Sequence, residues 1–257
     1  QHPRRGLLSP SDFLPLAEAT GLIFTMGEWL LHSACAQRAA WSDIGCPNVP
    51  LFVNLSPREF QDERLPKRVR DGLRATQTPP ASLHLEITER AVLQDIDFSL
   101  KTLKTLAAIG IRIALDDAGT DPSLLEHLSH LPVHAVKLHG RLVRGIVTDP
   151  KAVGTIAAIT TLAHRLELRV VALGVETEEQ LSLVRAQQCD EVQGYLLHRP
   201  APAELFPAVL QKERHDLTAL LMAEHLTIEG RPESPSARSP SGLLAAGVSG
   251  TDTEEIL

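Results

Sequence analysis

Short apolar runs alternate with helix-like stretches along most of the chain. The apolar runs predict strands at residues 50–54, 83–86, 111–116, 134–137, 168–173 and 191–195. Helical spacing of apolar residues predicts helices within 12–43, 57–75, 97–109, 123–130, 150–166 and 177–188. Thr177 is expected to cap the last of these helices, and Gly110 is expected to end an earlier one. Strands that alternate with helices indicate βαβ units and a parallel sheet.

Two α/β architectures accommodate six such strands: an open doubly wound sheet and most of a (β/α)8 barrel. No glycine-rich phosphate fingerprint opens a predicted helix, which disfavours a dinucleotide-binding domain. Polar residues stand at the carboxyl ends of the strands, where a barrel places its site. These residues are Asn54, Glu86, Asp116, Asp117, Lys137 and Gln193. The pattern therefore favours the barrel, with the polar residues gathered on one face.

The oxygen atoms of these residues are hard ligands that suit Mg²⁺ or Mn²⁺. Two such cations about 3.5–4 Å apart form a clamp for in-line attack on a phosphodiester. Lys137 could orient a water molecule or stabilise developing negative charge. Taken singly, each residue also has a structural interpretation: Asn54 could cap the next helix, and Lys137 could extend its charge to solvent. The residues together support metal-dependent phosphodiester hydrolysis as a hypothesis.

Composition narrows the class of protein. The chain has 257 residues, of which 43% are hydrophobic, enough for one sizeable core. The net charge of −7 argues against binding DNA or RNA through the phosphate backbone. Cys35, Cys46 and Cys189 are odd in number and widely spaced, which fits a reducing compartment. With no apolar run near the roughly 18 residues that span a bilayer, and no signal peptide, a cytoplasmic location is expected.

The start and the end of the sequence suggest further organisation. Because the chain begins with Gln1, we interpret it as a piece of a longer protein. A barrel domain is expected over residues 1–215, followed by a helical extension at 216–227. Residues 228–257 are rich in Pro, Ser, Gly and Glu, which predicts a disordered tail.

Several separate strings resemble one family in order and spacing. They are VNLS at 53–56, LEITE at 85–89, LDD at 115–117, Lys137, GVET at 174–177 and CDEVQGY at 189–195. His2-Pro3 and the helix entry at 13–18 agree. Over roughly residues 2–210 the chain resembles the EAL domain family of bacterial cyclic di-GMP phosphodiesterases. The resemblance implies a modified TIM-type (β/α)8 barrel that hydrolyses cyclic di-GMP to the linear dinucleotide with Mg²⁺ or Mn²⁺.

The resemblance also implies partners and residue roles. Family members often form homodimers and often follow sensory or diguanylate-cyclase-type domains, in a parent protein that can be anchored to the inner membrane. The implied metal ligands are Asn54, Glu86, Asp116 and, for a second metal or a water, Asp117. The other implied roles are Lys137 beside the attacking water, Glu89 steadying the loop after Asp117, and Gln193 and Glu176 at the ligand-binding edge.

Four departures from the family bear on activity. The Glu-Ala-Leu motif, expected just before His2, is absent, and with it the first two barrel strands. Leu173 stands where the family has a glutamate, and His139 stands where it has an aspartate. In the loop at 118–124, Asp121 and Pro122 replace a glycine and a tyrosine.

These departures predict a domain that is catalytically impaired or inactive, because a lost base alone costs about 10²–10⁴ in rate. Three alternatives stay open. The domain could be an active phosphodiesterase, a non-catalytic module that binds cyclic di-GMP or a partner, or a scaffold that binds no nucleotide.

Overall fold

A computed structural model describes residues 2–6, 8–46, 49–121 and 123–210. Within these residues, six parallel strands form one sheet in sequence order, and the sheet curls as in a TIM-type barrel. The α/β class and the parallel sheet are therefore confirmed. The strands are β1 Leu51–Leu55, β2 Leu83–Thr88, β3 Arg112–Ala118, β4 Ala135–Leu138, β5 Arg169–Leu173 and β6 Glu191–Gln193.

Helices connect successive strands, as the βαβ interpretation requires. They are α1 Pro10–Thr20, α2 Leu22–Asp43, α3 Pro57–Phe60, α4 Leu65–Ala75, α5 Glu89–Leu93, α6 Ile96–Ile109, α7 Leu124–His127, α8 Gly140–Gly145, α9 Pro150–Arg165 and α10 Glu178–Ala186. Three-residue 3-10 turns lie at Pro80–Ser82, Leu128–His130 and Ala203–Leu205.

The predicted helix ends hold where a side chain or a glycine defines them. Thr177 caps α10 through its side chain, which accepts a hydrogen bond from Gln180 N. Gly110 ends α6 in the left-handed region, at φ +97°. The stretch at 12–43 is two helices, because Gly21 has φ +79° and ends α1. The short helices α5 and α8 were not predicted, since they are too short to show helical periodicity.

Alternation along each strand gives the sheet an apolar face and a polar face. The apolar face carries large buried side chains such as Leu85, Ile113 and Val136, which share one core with residues of the helices. Leu103 and Leu106 of α6 belong to this core and are fully buried. The polar face carries Asn54, Glu86 and Lys137.

The chain divides into two compact units, one ending at Arg199 and the other beginning at Pro200. The six-stranded sheet belongs to the first unit. In the second, the described residues are 200–210, which contain the turn at Ala203–Leu205. The predicted domain boundary at residue 215, the extension at 216–227 and the tail at 228–257 lie outside the described residues. Within the described ranges, no helix combines the length and apolar character needed to cross a membrane.

Candidate active site

Strand register places the predicted polar residues of β1 and β2 side by side. Asn54 lies opposite Glu86, and on the same face two residues earlier, Phe52 lies opposite His84. Asn54 is exposed, whereas Glu86 is 4% exposed. Because the strands are parallel and in register, the carboxyl ends of β1 and β2 present an amide and a carboxylate at one level.

Lys137 reaches this level from β4, two strands away from β2. Its ammonium group forms a buried salt bridge with Oε1 of Glu86, and only 5% of the lysine side chain is exposed. The intervening strand β3 presents Ala114, which lies opposite both Glu86 and Ala135. Since alanine has the smallest side chain after glycine, the long lysine side chain can pass over β3 to the carboxylate.

Asp116 and Asp117 lie at an irregularity near the end of β3. Leu115 pairs with Val136 but Ala118 pairs with Leu138, so β3 carries one extra residue as in a β-bulge. Asp117 has φ +57°, in the left-handed region, and its N–H donates to Asp116 Oδ1 at 2.9 Å. The bulge interrupts the strict alternation of a strand, so two consecutive carboxylates can serve the same site.

Burial raises the pKa of the Asp116 carboxyl above its ordinary value. The Lys137 ammonium opposes this shift, whereas the neighbouring Glu86 and Asp117 carboxylates add to it. The net shift is upward because desolvation is the largest of these effects. Three carboxyls, those of Glu86, Asp116 and Asp117, stand around one lysine, an excess of acids that a further cation would compensate.

Glu89 holds the loop that follows Asp117. Its carboxylate is 1% exposed and accepts hydrogen bonds from Gly119 N at 2.9 Å, Thr120 Oγ1 at 2.8 Å and Asp121 N. Asp121, in turn, accepts from Ser123 N and Oγ at 2.9 and 2.7 Å. The buried glutamate thus fixes the loop through the backbone N–H groups of Gly119 and Asp121 and the side-chain hydroxyl of Thr120.

The remaining predicted residues lie at the ends of β5 and β6. Leu173 closes β5, is half-buried and lies opposite Gln193 in register. The Gln193 side chain is exposed, and the backbone carbonyl of Gln193 accepts hydrogen bonds from Gly174 N at 2.7 Å and Val175 N at 3.1 Å. Glu176 is exposed on the loop that follows, with its N–H donating to a glutamine side chain of α10. Leu173, which stands where the family has a glutamate, therefore lies at the carboxyl edge of the sheet, as the predicted strand at 168–173 implies.

His139 has a structural contact in addition to its place beside the site. Its Nδ1 accepts a hydrogen bond from Arg141 N at 3.0 Å and so caps α8. Its Nε2 lies 3.9 Å from Asp117 Oδ1. His139 therefore has a structural role at the start of α8 and keeps one ring nitrogen facing a site carboxylate.

A divalent cation is chemically compatible with this site. In the described residues, His, Cys, Asp and Glu side chains form no group of three placed to hold a metal ion. Asn54 lies outside that residue set and adds an amide oxygen opposite Glu86. Amide and carboxylate oxygens are the donors that Mg²⁺ and Mn²⁺ prefer, and Asn54, Glu86 and Asp116 supply them here.

Sequence reasoning missed two residues of this site. Phe52 places its ring beneath the Lys137 ammonium, with 5.9 Å between Nζ and the ring centroid. Ala114 leaves the space through which that lysine crosses β3. The sequence of one strand gives no sign of either role. Because Phe52 and Asn54 are two residues apart on β1, strand alternation alone could have placed Phe52 on the face of Asn54.

Comparisons with known proteins agree with this geometry. The EAL domain family model matches residues 1–200. The bifunctional diguanylate cyclase/cyclic di-GMP phosphodiesterase MucR of Pseudomonas aeruginosa is 41% identical over 204 residues, which are 79% of this chain and 30% of MucR. The cyclic di-GMP phosphodiesterase NbdA of the same organism is 34% identical over 216 residues, 84% of this chain and 28% of NbdA. The chain thus spans about a third or less of these relatives' length.

Solved structures give the same result. A MucR phosphodiesterase in complex with c-di-GMP aligns with a TM-score of 0.77 and 40% identity, covering 80% of this chain and 83% of that one. The EAL domain of Mycobacterium smegmatis DcpA aligns with a TM-score of 0.69 and 32% identity, covering 73% and 84%. With the motifs and the sheet described above, these matches show that the chain belongs to the EAL domain family.

Proposed function

We propose that the polar face of the sheet binds cyclic di-GMP and that its capacity to hydrolyse the dinucleotide is impaired. One observation carries the binding proposal: Lys137 crosses β3 to join Glu86 beside Asn54, next to the Asp116 carboxyl. The relatives MucR and NbdA are cyclic di-GMP phosphodiesterases by name, and the MucR phosphodiesterase was solved with c-di-GMP.

Each residue has a chemical task that its surroundings support. Asn54, Glu86, Asp116 and Asp117 would hold one or two divalent cations. EAL phosphodiesterases generally depend on such cations, which when bound polarise the phosphate and activate a water molecule. Lys137, already buried and paired, would meet the negative charge that develops on the phosphate oxygens.

Two further groups would shape the ligand-binding edge. Glu89 holds the loop at 119–121 through three hydrogen bonds, so it would position that loop against the ligand. The exposed side chains of Gln193 and Glu176 stand at the carboxyl ends of β6 and β5, where they would contact the ligand. The loop is the part of the edge whose sequence departs most from the family.

Leu173, together with the absent Glu-Ala-Leu motif, is a reason to expect impaired hydrolysis. Its side chain points, by alternation, to the same face as Val171, and Val171 lies opposite Lys137. A carboxylate at this position would accept a proton or bind a cation near the lysine, and leucine does neither. Loss of a general base lowers a rate by about 10²–10⁴. The domain would therefore still bind cyclic di-GMP but would hydrolyse it slowly.

The opposite outcome, an active phosphodiesterase, also has support. The structure brings Asn54, Glu86 and Lys137 together with Asp116 at one edge of the sheet. Glu176 is exposed three residues beyond Leu173 and supplies a carboxylate at the same edge. If that carboxylate reaches the water, turnover would survive the leucine.

The test is a product assay on the purified protein. Cyclic di-GMP is incubated with Mg²⁺ and, separately, with Mn²⁺, and the linear dinucleotide is quantified for the parent chain, Leu173→Glu and Asp116→Asn. Impairment predicts little product from the parent and a gain of at least about 10² with Leu173→Glu. Product that forms rapidly in the parent and disappears with Asp116→Asn would establish the active phosphodiesterase instead.

Binding is measured in parallel by calorimetry. A dissociation constant that is retained in Leu173→Glu and weakened in Asp116→Asn supports a cyclic di-GMP site on the polar face. The matched control for introducing a glutamate is Leu30→Glu, because Leu30 is an exposed leucine on α2. Failure of the folded parent chain to bind at any concentration of either metal would contradict the proposal and leave the scaffold interpretation.

The larger protein is the natural setting for this domain. Relatives such as MucR are more than three times as long as the matched segment and include a diguanylate cyclase function. We therefore propose that the parent protein joins this domain to sensory or cyclase-type domains, that it dimerises, and that the domain works in the cytoplasm.

A further inference from the structure

We propose that Phe52 is a positioning residue whose ring holds the Lys137 ammonium group under the candidate site. Nζ of Lys137 lies 5.9 Å from the Phe52 ring centroid while the same group is paired with Glu86. The positioning role follows from these contacts alone. Its effect on ligand binding or turnover rests on the function proposed above.

The chemistry of the contact favours a charged neighbour. The face of an aromatic ring carries partial negative charge and attracts a cation within about 6 Å of its centroid. The attraction strengthens when the cation is removed from water, and the Lys137 side chain is only 5% exposed. A ring at this place therefore stabilises the buried ammonium in a way that an aliphatic side chain would not.

The neighbours of Phe52 fix its orientation. The His84 ring lies opposite in register and meets it edge to face, with centroids 4.6 Å apart and an interplanar angle of 67°. Phe52 precedes Asn54 by two residues on the same face of β1, so the ring lies directly below the level of the candidate ligands. Edge-to-face packing of this kind holds one ring face toward Lys137.

Phe52 lies on β1, an edge strand of the described sheet, and its ring is 37% exposed there. Its position between a histidine and a lysine, on a face of polar residues, indicates that the aromatic character is what the site uses.

Without the ring, Lys137 would keep one restraint instead of two. A lysine side chain has four rotatable carbon–carbon bonds and a compact charge that can turn in several directions. The salt bridge to Glu86 fixes one direction and the ring of Phe52 limits the others. Loss of the ring is therefore expected to lower kcat or the affinity for ligand about 2- to 30-fold, the range of a cation–π contact.

The experiment uses NMR of the ammonium group, which needs no catalytic activity. The protein is labelled with ¹⁵N-lysine, and the Lys137 signal is assigned with Lys137→Met. The variants are Phe52→Leu and Phe52→Met, which remove the ring, and Phe52→Tyr, which keeps it. The matched control is Phe24→Leu, because Phe24 lies 5.3 Å below the guanidinium of Arg68 in a separate cation–π pair.

Phe52→Leu and Phe52→Met are expected to remove the ring-current shift of the Lys137 ammonium and to lower kcat or ligand affinity. Phe52→Tyr is expected to keep the shift and the kcat or affinity of the parent chain. Phe24→Leu is expected to change neither. An ammonium signal that is unchanged in both ring-free variants overturns the proposal. If the signal moves as expected but the parent chain binds no cyclic di-GMP, the positioning role stands and the proposed function fails.

Discussion

Replacing Lys137 with methionine leaves a buried carboxylate without its partner. Glu86 is 4% exposed and its salt bridge to Lys137 is the contact that compensates for its burial. The nearby carboxyl of Asp116 cannot replace the lysine, because it carries the same charge. Glu86→Gln should destabilise the protein less. The Lys137 ammonium then still has the Asp116 carboxyl nearby and the Phe52 ring beneath it.

The magnitude follows from the burial of both side chains. Breaking a buried pair by removing one partner costs about 3–5 kcal/mol, whereas replacing both partners with neutral groups is often nearly neutral. We therefore expect Lys137→Met to lower the free energy of unfolding by about 3–5 kcal/mol at pH 7. The double variant with Glu86→Gln should lose less than Lys137→Met alone, although it carries one more substitution.

Urea denaturation of the four proteins, arranged as a double-mutant cycle, measures these differences. The deficit of Lys137→Met should shrink as the pH falls, because protonation of Asp116, whose pKa burial raises, removes the like charge beside Glu86. Added Mg²⁺ should also restore part of the loss if the carboxylates bind it. Additive effects of the two substitutions, with no change on acidification, would refute the electrostatic reasoning.

Three further predictions concern the loop, the lysine path and a buried acid. Glu89→Gln should cost about 1–3 kcal/mol and speed amide exchange in the loop at 119–121, as hydrogen exchange would show. Ala114→Leu should block Lys137 and weaken ligand affinity, measured by calorimetry, while Ala114→Gly should not. Burial raises the pKa of Glu59 above 4.5. The folded protein therefore binds this proton more tightly than the unfolded chain, and the free energy of unfolding falls as the pH rises through that value. Glu59→Gln should therefore raise Tm at pH 7 but not at pH 4, relative to exposed Glu63→Gln.

Strand positions were predictable because each strand is a compact apolar run. The predicted 168–173 and the observed Arg169–Leu173 differ by one residue, and the others agree to within two residues. Helix boundaries were predictable where one residue determines them, as Thr177 and Gly110 do. They failed at Gly21, because the apolar periodicity of α1 and α2 continues across a glycine that ends the first helix.

The site was predictable only in part. Family-like strings placed Glu86 and Lys137 in the same site, but no string indicates that the lysine must cross a strand to reach the glutamate. That crossing depends on the register of three strands, and register is a property of the assembled sheet. The contributions of Phe52 and Ala114 follow from register too, and so they became visible only in three dimensions.

At Asp117, the left-handed backbone conformation lowers stability, whereas the side chain supplies a carboxylate to the site. A residue other than glycine generally costs about 1–2 kcal/mol in this conformation, and aspartate, which adopts it more readily than most, bears part of that cost at Asp117, where φ is +57°. Glycine would relieve it but would remove a carboxylate from the edge of the site. Variants selected for thermal tolerance alone should therefore drift toward glycine at this position, whereas variants selected for ligand recognition should retain the acid.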